Sequence, residues 1–505
     1  MAEGSPRRRR RKGQPGWKGW RADFRAALSR LFRRSSTNHK RFVFAVLAVG
    51  VALRILRMNE AVTYDEALTY VHYAGRSFGF LFSDYLFTSN QILYSALARL
   101  STLILGVHAW SLRLPALVAG ILVMPLCYAF ARSVFNRHIA VILLCLVAVS
   151  GPLVEYSAVA RGYSLVWLFT ISALLAARHF VSSENVISLI LMAAFTALGM
   201  WATPDMIYPA VMVYTWALFM LVANYQSTIR RRMVKLVGSA VLACGLVFLF
   251  YAPVVVVHSL DQLLHHPSVQ EHTWTTFVNT QQDRAFDLWA YFTGTASTLL
   301  AFAGVIGVIY AAYISLKYRL LLFALVVGTV PIVLIQHVVD PPAVWTFSLL
   351  VFHLGSAIGL FYLLKVVRDK LLPTFTKAQR TLVAGAFVVL LFGWLGIRGE
   401  GDTVERFPEA KLAAAWFATN TSPGDRVCVQ LPWDAPVAFY LDCEQKGTDL
   451  LRSPITPDRR LYVVVAPGHG QTPAGVLLDN ELRQADLPPL KLLREWERVE
   501  LFSTP

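Results

Sequence analysis

The chain has 505 residues, of which 56% are hydrophobic and only 15% charged. Soluble globular chains carry about 25% charged residues, so the composition excludes an ordinary soluble enzyme and points to a polytopic membrane protein. The net charge of +16 does not indicate nucleic-acid binding, because fourteen Lys and Arg against Glu3 and Asp23 concentrate +12 of it in residues 1–41.

That basic segment opens with an arginine run, Arg7 to Arg11, and continues as an amphipathic stretch with Trp17, Trp20, Phe24, Leu28 and Leu31. Ahead of a first span, such a segment sets topology and binds lipid headgroups. No nucleic-acid module accompanies it. It is too long and too basic for a signal peptide, and the first apolar run lacks a small-residue cleavage site.

Apolar runs of spanning length fall near 42–58, 113–132, 139–157, 162–179, 186–202, 206–224, 234–257, 294–314, 319–337, 343–364 and 381–397. They predict an α-helical polytopic protein of about eleven transmembrane helices. Alternate connections are basic: Arg132 and Arg137, Arg178 and His179, Arg230 to Arg232 with Lys235, Lys317 and Arg319, and Lys365 through Arg380. Short basic loops stay cytoplasmic, so these fall on the side of the N-terminus. The segment holding Asp65 and Glu66, the 258–293 loop and the 338–342 turn then face outward. Residues 91–108 are also apolar, but counting them as a span would turn every later basic loop outward. They read instead as an interfacial amphipathic helix within a long first outer loop, 59–112.

An odd number of spans places residues 398–505 outside as well. Hydropathy falls after Ile397. Glu409–Asn420 reads as a helix, Ser422–Asp425 as a turn, and Arg426–Leu431, Leu461–Ala466 and Val499–Ser503 as strands. This predicts a small extracytoplasmic α/β domain of about 100 residues. Cys127, Cys145 and Cys244 lie in apolar runs and read as buried thiols. Cys428 and Cys443 can pair only if the tail is outside the cytoplasm. The organisation is thus a basic segment (1–41), a membrane domain (42–397) and an outer domain (398–505).

Charged groups beside membrane spans are costly and mark functional sites. The topology gathers several at one surface: Asp65, Glu66, His72 and Tyr73 after the first span, and Arg113 before the second. Glu155, Arg161 and Tyr163 lie at the next turn, with Asp205, Tyr208, His258, Asp261, His265, His266, Asp283 and Asp340 beyond. Arginines suit a lipid-linked phosphate, and a carboxylate can take the proton of an attacking acceptor. The bland alternatives are a dipole-stabilised helix N-terminus at Asp65-Glu66 and a snorkelling Arg161; Arg54 and Arg57 are expected to snorkel too. His265-His266 lacks a partner at metal-ligand spacing, and the residues neither require nor rule out a divalent cation.

Three stretches resemble the GT-C membrane glycosyltransferases. They are Asp65-Glu66 in a long first outer loop, Trp110-Ser111-Leu112-Arg113-Leu114-Pro115-Ala116-Leu117, and Glu155-Tyr156-Ser157-Ala158-Val159-Ala160-Arg161-Gly162-Tyr163-Ser164-Leu165. The likeness covers roughly residues 40–400. It is strongest to the branch that groups protein O-mannosyltransferases with the aminoarabinose transferase of lipid A (family 39/83-like). It implies inverting transfer of a sugar from a polyprenyl-phosphate donor to a lipid, glycan or protein acceptor outside the cytoplasm, at the inner membrane and without nucleic acid. By carry-over, Asp65 is the general base and Glu66 its acidic neighbour. Arg161, Tyr163, Arg113, His72 and Asp205 are then the candidate donor-phosphate and substrate residues. Two departures stand out. Family members often show a histidine in the stretch matching Ser89-Asn90-Gln91-Ile92-Leu93-Tyr94, and an arginine after the pair matching Pro341-Pro342, where this chain reads Ala343-Val344. Each loses a cation near the leaving phosphate, with His337 a candidate to compensate. The rival readings are a catalytically silent assembly protein for envelope polysaccharide and a lipid or solute transporter. A transporter predicts internal repeats with broken spans, and none is apparent.

Overall fold

The structure, a computed structural model, describes residues 16–31, 35–85, 90–225, 227–264, 273–293, 298–337, 340–366, 376, 405–454 and 459–505. The expected span at 381–397, the arginine run and His265-His266 lie outside these residues. The N-terminal part is helical: α1 (Gly16–Leu31), α2 (Thr37–Leu56), α3 (Tyr64–Thr69), α4 (Phe78–Ser83), α5 (Ile92–Leu105), α6 (Ala109–Val134), α7 (Arg137–Val149), α8 (Gly151–Glu155), α9 (Tyr163–Ser183), α10 (Val186–Ala202), α11 (Ile207–Ala223), α12 (Ile229–Leu264), α13 (Trp274–Thr293), α14 (Thr298–Ile314), α15 (Leu316–Gln336) and α16 (Thr346–Val366). Side-chain caps from Ser36, Asn136, Asn185 and Ser315 take orphan backbone N–H groups at the starts of α2, α7, α10 and α15, as short polar residues do at helix N-termini.

Among the described residues, six helical segments are long and apolar enough to cross a membrane: Ala109–Val134, Tyr163–Ser183, Pro204–Ala223, Ile229–His258, Leu316–Gln336 and Pro342–Val366. α5, α7 and α10 are apolar but shorter. α2 matches the first expected span, yet it carries Lys40 and Arg41 at one end and Arg54 near the other.

The run 139–157 is not one helix. α7 stops at Val149, and α8 restarts at Gly151 with Pro152 in its first turn, where a missing N–H costs nothing. Arg54 closes the break. Its guanidinium donates to the carbonyls of Gly50 (2.9 Å), Ala148 (3.0 Å) and Val147 (3.1 Å) and to Ser157 Oγ (3.2 Å). The side chain is buried, so Arg54 does not snorkel; it satisfies carbonyls that the break leaves open. Arg57 pairs instead with Glu60 at 3.9 Å. The expected outer loop 258–293 is also more ordered than a loop, because α12 runs on to Leu264 and α13 follows.

The C-terminal part holds α17 (Pro408–Asn420), α18 (Asp434–Cys443), α19 (Pro473–Asp479) and a four-stranded sheet of β1 (Arg426–Cys428), β2 (Leu461–Val465), β3 (Lys491–Glu495) and β4 (Glu500–Ser503). The sheet order is β1-β2-β4-β3, with β1 parallel to β2 and the remaining pairs antiparallel. β2 is apolar and wholly buried, as a central strand should be. β3 is exposed throughout. Cys428 and Cys443 are free thiols.

Candidate active site

Asp65 stands on a platform that several elements build. Thr63 is the N-cap of α3: its hydroxyl accepts from Glu66 N (3.3 Å) while Glu66 Oε2 accepts from Thr63 N (2.9 Å). This is a reciprocal capping box. Asp65 sits between the two with its side chain 60% exposed. Glu66 points the other way, into the protein. Arg113 of α6 grips it with Nε on Oε1 and Nη2 on Oε2, both at 2.7 Å, and neither side chain is exposed at all. Burial alone would raise the Glu66 carboxyl, but Arg113 and the N–H donors hold it below its ordinary value. The rest of the Arg113 fork takes the carbonyls of Met58 (3.1 Å), Glu60 (2.7 Å) and Ala61 (3.0 Å).

The tail domain holds the same segment from its other side. Arg406 pairs with Glu60 at 2.7 Å and donates to Ala61 O. Phe407 N donates to Val62 O, and Val62 N to the Tyr440 hydroxyl of α18 (3.0 Å).

The turn from α8 to α9 carries Arg161. Ala160 N donates to Glu66 Oε1 (2.6 Å), and Gly162 N to Gln91 Oε1 (2.5 Å). The turn is tight at Gly162, where a Cβ would stand 3.0 Å from Ala202 O and 3.2 Å from Gln91 Oε1 and would press on both. Arg161 Nη2 lies 3.9 Å from Asp65 Oδ2, and its side chain is 12% exposed. The guanidinium carbon sits 5.9 Å from the Tyr163 ring centre, at cation–π range. Among the described residues, Nε and Nη1 are buried without a hydrogen-bond acceptor.

Asp205 accepts from Thr203 Oγ1 (2.8 Å) and lies within electrostatic reach of Arg161 and Asp340. Asp340 accepts from the Tyr208 hydroxyl (2.5 Å), and burial raises its carboxyl above the ordinary value. The structure therefore brings Asp65, Arg161, Tyr163 and Asp205 to one place, with Glu66 and Arg113 buried beneath them. His72 lies on the turn after α3 and is partly buried. Burial first, then Arg76, lowers its pKa, and the charges around it are Asp434, Arg452 and Asp84. His258 meets Asp84 at 3.1 Å. His337 packs against Trp274 (5.2 Å) and Phe277 (5.4 Å). Ala343 and Val344 are buried beside Trp345, whose ring meets Tyr208 at 4.9 Å. Among the described residues no group of three or more His, Cys, Asp or Glu converges to hold a metal.

Asp434 at the start of α18, whose charge acts on both Tyr64 and His72, escapes sequence reasoning, whereas Gln91 is legible there only as part of a stretch where relatives often carry a histidine. By contrast, the role of Glu66 has a legible signal in Thr63-Tyr64-Asp65-Glu66, the T-x-x-E capping pattern.

Solved structures share this fold. ArnT from Cupriavidus metallidurans in the apo state superposes with a TM-score of 0.59 over 92% of this chain and 98% of its own, at 12% identity. The fold is that of the GT-C membrane glycosyltransferases. The structure of that ArnT bound to undecaprenyl phosphate matches this chain with a TM-score of 0.54, covering 91% and 97% at 13% identity. The oligosaccharyltransferase of Archaeoglobus fulgidus in the apo form gives 0.50, over 85% of this chain and 69% of its own at 14% identity. At these identities the likeness is one of fold. The profile of the family described as dolichyl-phosphate-mannose-protein mannosyltransferase matches residues 89–251, a stretch that includes Arg113, Arg161 and Asp205. Comparison with curated proteins gave no match.

Proposed function

We propose that this GT-C protein moves a sugar from a polyprenyl-phosphate donor to an acceptor on the extracytoplasmic face of the inner membrane, with inversion at the anomeric carbon. The observation that carries this reading is Arg161, a nearly buried guanidinium with two nitrogens that have no acceptor among the described residues, 3.9 Å from the exposed carboxylate of Asp65. A buried cation with open donors suits an anion that arrives with the substrate.

In the proposed step the acceptor hydroxyl or amine attacks the anomeric carbon and gives its proton to Asp65. The bond from that carbon to the phosphate oxygen breaks, and the polyprenyl phosphate leaves with the electron pair, its growing charge met by Arg161. Tyr163 flanks the guanidinium and Asp205 tunes the field around it. Glu66 and Arg113 are assigned support roles, because their polar atoms are spent on each other and on backbone groups. ArnT, which shares the fold, has been captured with undecaprenyl phosphate, and that precedent makes this lipid the probe of choice.

The silent-relative reading draws on Gln91 and Ala343-Val344, neutral where relatives often carry cations. One pair of variants separates the readings. Arg161→Ala is expected to weaken undecaprenyl-phosphate binding more than acceptor binding; the reverse would reassign the residue. Asp65→Asn is expected to bind the lipid normally and to stop transfer. Lipid binding with no transfer by the wild type across donors would favour the silent relative.

A further inference from the structure

We infer that Gln91 is a positioning residue for sugar transfer, setting the Arg161 guanidinium through the peptide that follows it; the inference rests on the phosphate role proposed for Arg161. Gln91 caps the start of α5, yet its side chain makes no hydrogen bond to its own helix. It is buried, 3% exposed, and reaches across to accept from Gly162 N at 2.5 Å. On the other side of Arg161, Glu66 Oε1 accepts from Ala160 N at 2.6 Å. The N–H of Arg161 itself turns back to Val159 O at 2.8 Å. All three consecutive N–H groups around the arginine are thus committed, two of them to side chains from distant elements.

The chemistry of the two clamps differs. Glu66 has its charge matched by Arg113. Gln91 is neutral, so it can hold the turn beside Arg161 without competing with a phosphate for the guanidinium. A carboxylate at this position would pair with the cation it is meant to present. The absence of a Cβ at Gly162 lets the Gln91 oxygen and Ala202 O approach the same peptide. An orienting hydrogen bond of this kind fixes a binding group whose own donors stay open.

The test is a double-mutant cycle on the full chain in detergent micelles, read by undecaprenyl-phosphate binding and by donor and acceptor KM. Gln91→Leu keeps the side-chain bulk and removes the acceptor oxygen. It is expected to weaken lipid binding and raise donor KM about tenfold while leaving acceptor KM unchanged, and it should add little in the Arg161→Ala background. A purely structural defect would raise both KM values and add independently to Arg161→Ala, which would overturn the proposal, as would wild-type binding by Gln91→Leu. Should that variant fail to fold, Gly162→Ala, which presses on the same peptide, is expected to show the same coupling, and full additivity there would overturn the proposal too. If Arg161→Ala alone leaves lipid binding untouched, the phosphate role of Arg161 fails first and takes the role of Gln91 with it. If only Gln91→Leu is without effect, the functional reading stands and the Gln91 proposal falls.

Discussion

Asp65 and Glu66 are adjacent in sequence and opposite in circumstance. Asp65 has its side chain largely in the open, whereas Glu66 is sealed against Arg113. A pair of carboxylates at a span exit can be read as a catalytic duo or as helix N-terminal acids, and single-residue reasoning cannot see which way each side chain turns. The structure makes Glu66 the acid of the α3 capping box and leaves Asp65 exposed. Glu66→Gln would leave Arg113 buried without its counter-charge, a loss of about 3–5 kcal/mol, measurable as a lower unfolding temperature. The pH dependence has a definite sign. Because the folded carboxyl is held below its ordinary value, its stabilising contribution is complete above that value and fades as pH falls through the lower, folded one. Wild type should therefore show an acid-side loss of stability that Glu66→Gln lacks; an identical acid limb in both would contradict the buried pair.

At the scale of elements, hydropathy finds most of the membrane helices and misses how they are interrupted. The run 139–157 looks continuous because Ser150-Gly151-Pro152 is not polar enough to break it on an apolarity scale. The break is stabilised by Arg54, a residue distant in sequence whose contacts no local pattern reports. Arg54→Leu should strand the carbonyls of Val147 and Ala148 and cost about 1–3 kcal/mol; an unchanged unfolding temperature would show that the break needs no cap. In the tail, the buried strand β2 is legible from its composition, Leu461 to Val465. The edge strand β3 is not, since Lys491–Glu495 is exposed throughout and is held by backbone pairing to β4. Gln91 is legible in the sequence only as a neutral residue in a stretch where relatives often carry a histidine, and its partner at Gly162 leaves no local pattern.

Over the whole molecule, the tail domain and the membrane helices meet on the segment that leads into Asp65. Arg406 and Tyr440 hold that segment from one side and Arg113 from the other. Arg406→Ala with Tyr440→Phe should speed amide exchange across residues 57–66 and lower turnover without removing any group from the site; unchanged exchange would mean that the domain only sits nearby. The proposed orientation has its own check. A reporter active only outside the cytoplasm, fused after Gly401, is expected to be active, and silence would overturn the placement of both the tail and Asp65.

The central claim is chemical, and donor turnover tests it most directly. Purified protein incubated with a panel of polyprenyl-phosphate sugars and candidate acceptors should release free polyprenyl phosphate from one donor, and Asp65→Asn should abolish that release while still binding undecaprenyl phosphate. Release at the wild-type rate by Asp65→Asn would contradict the account.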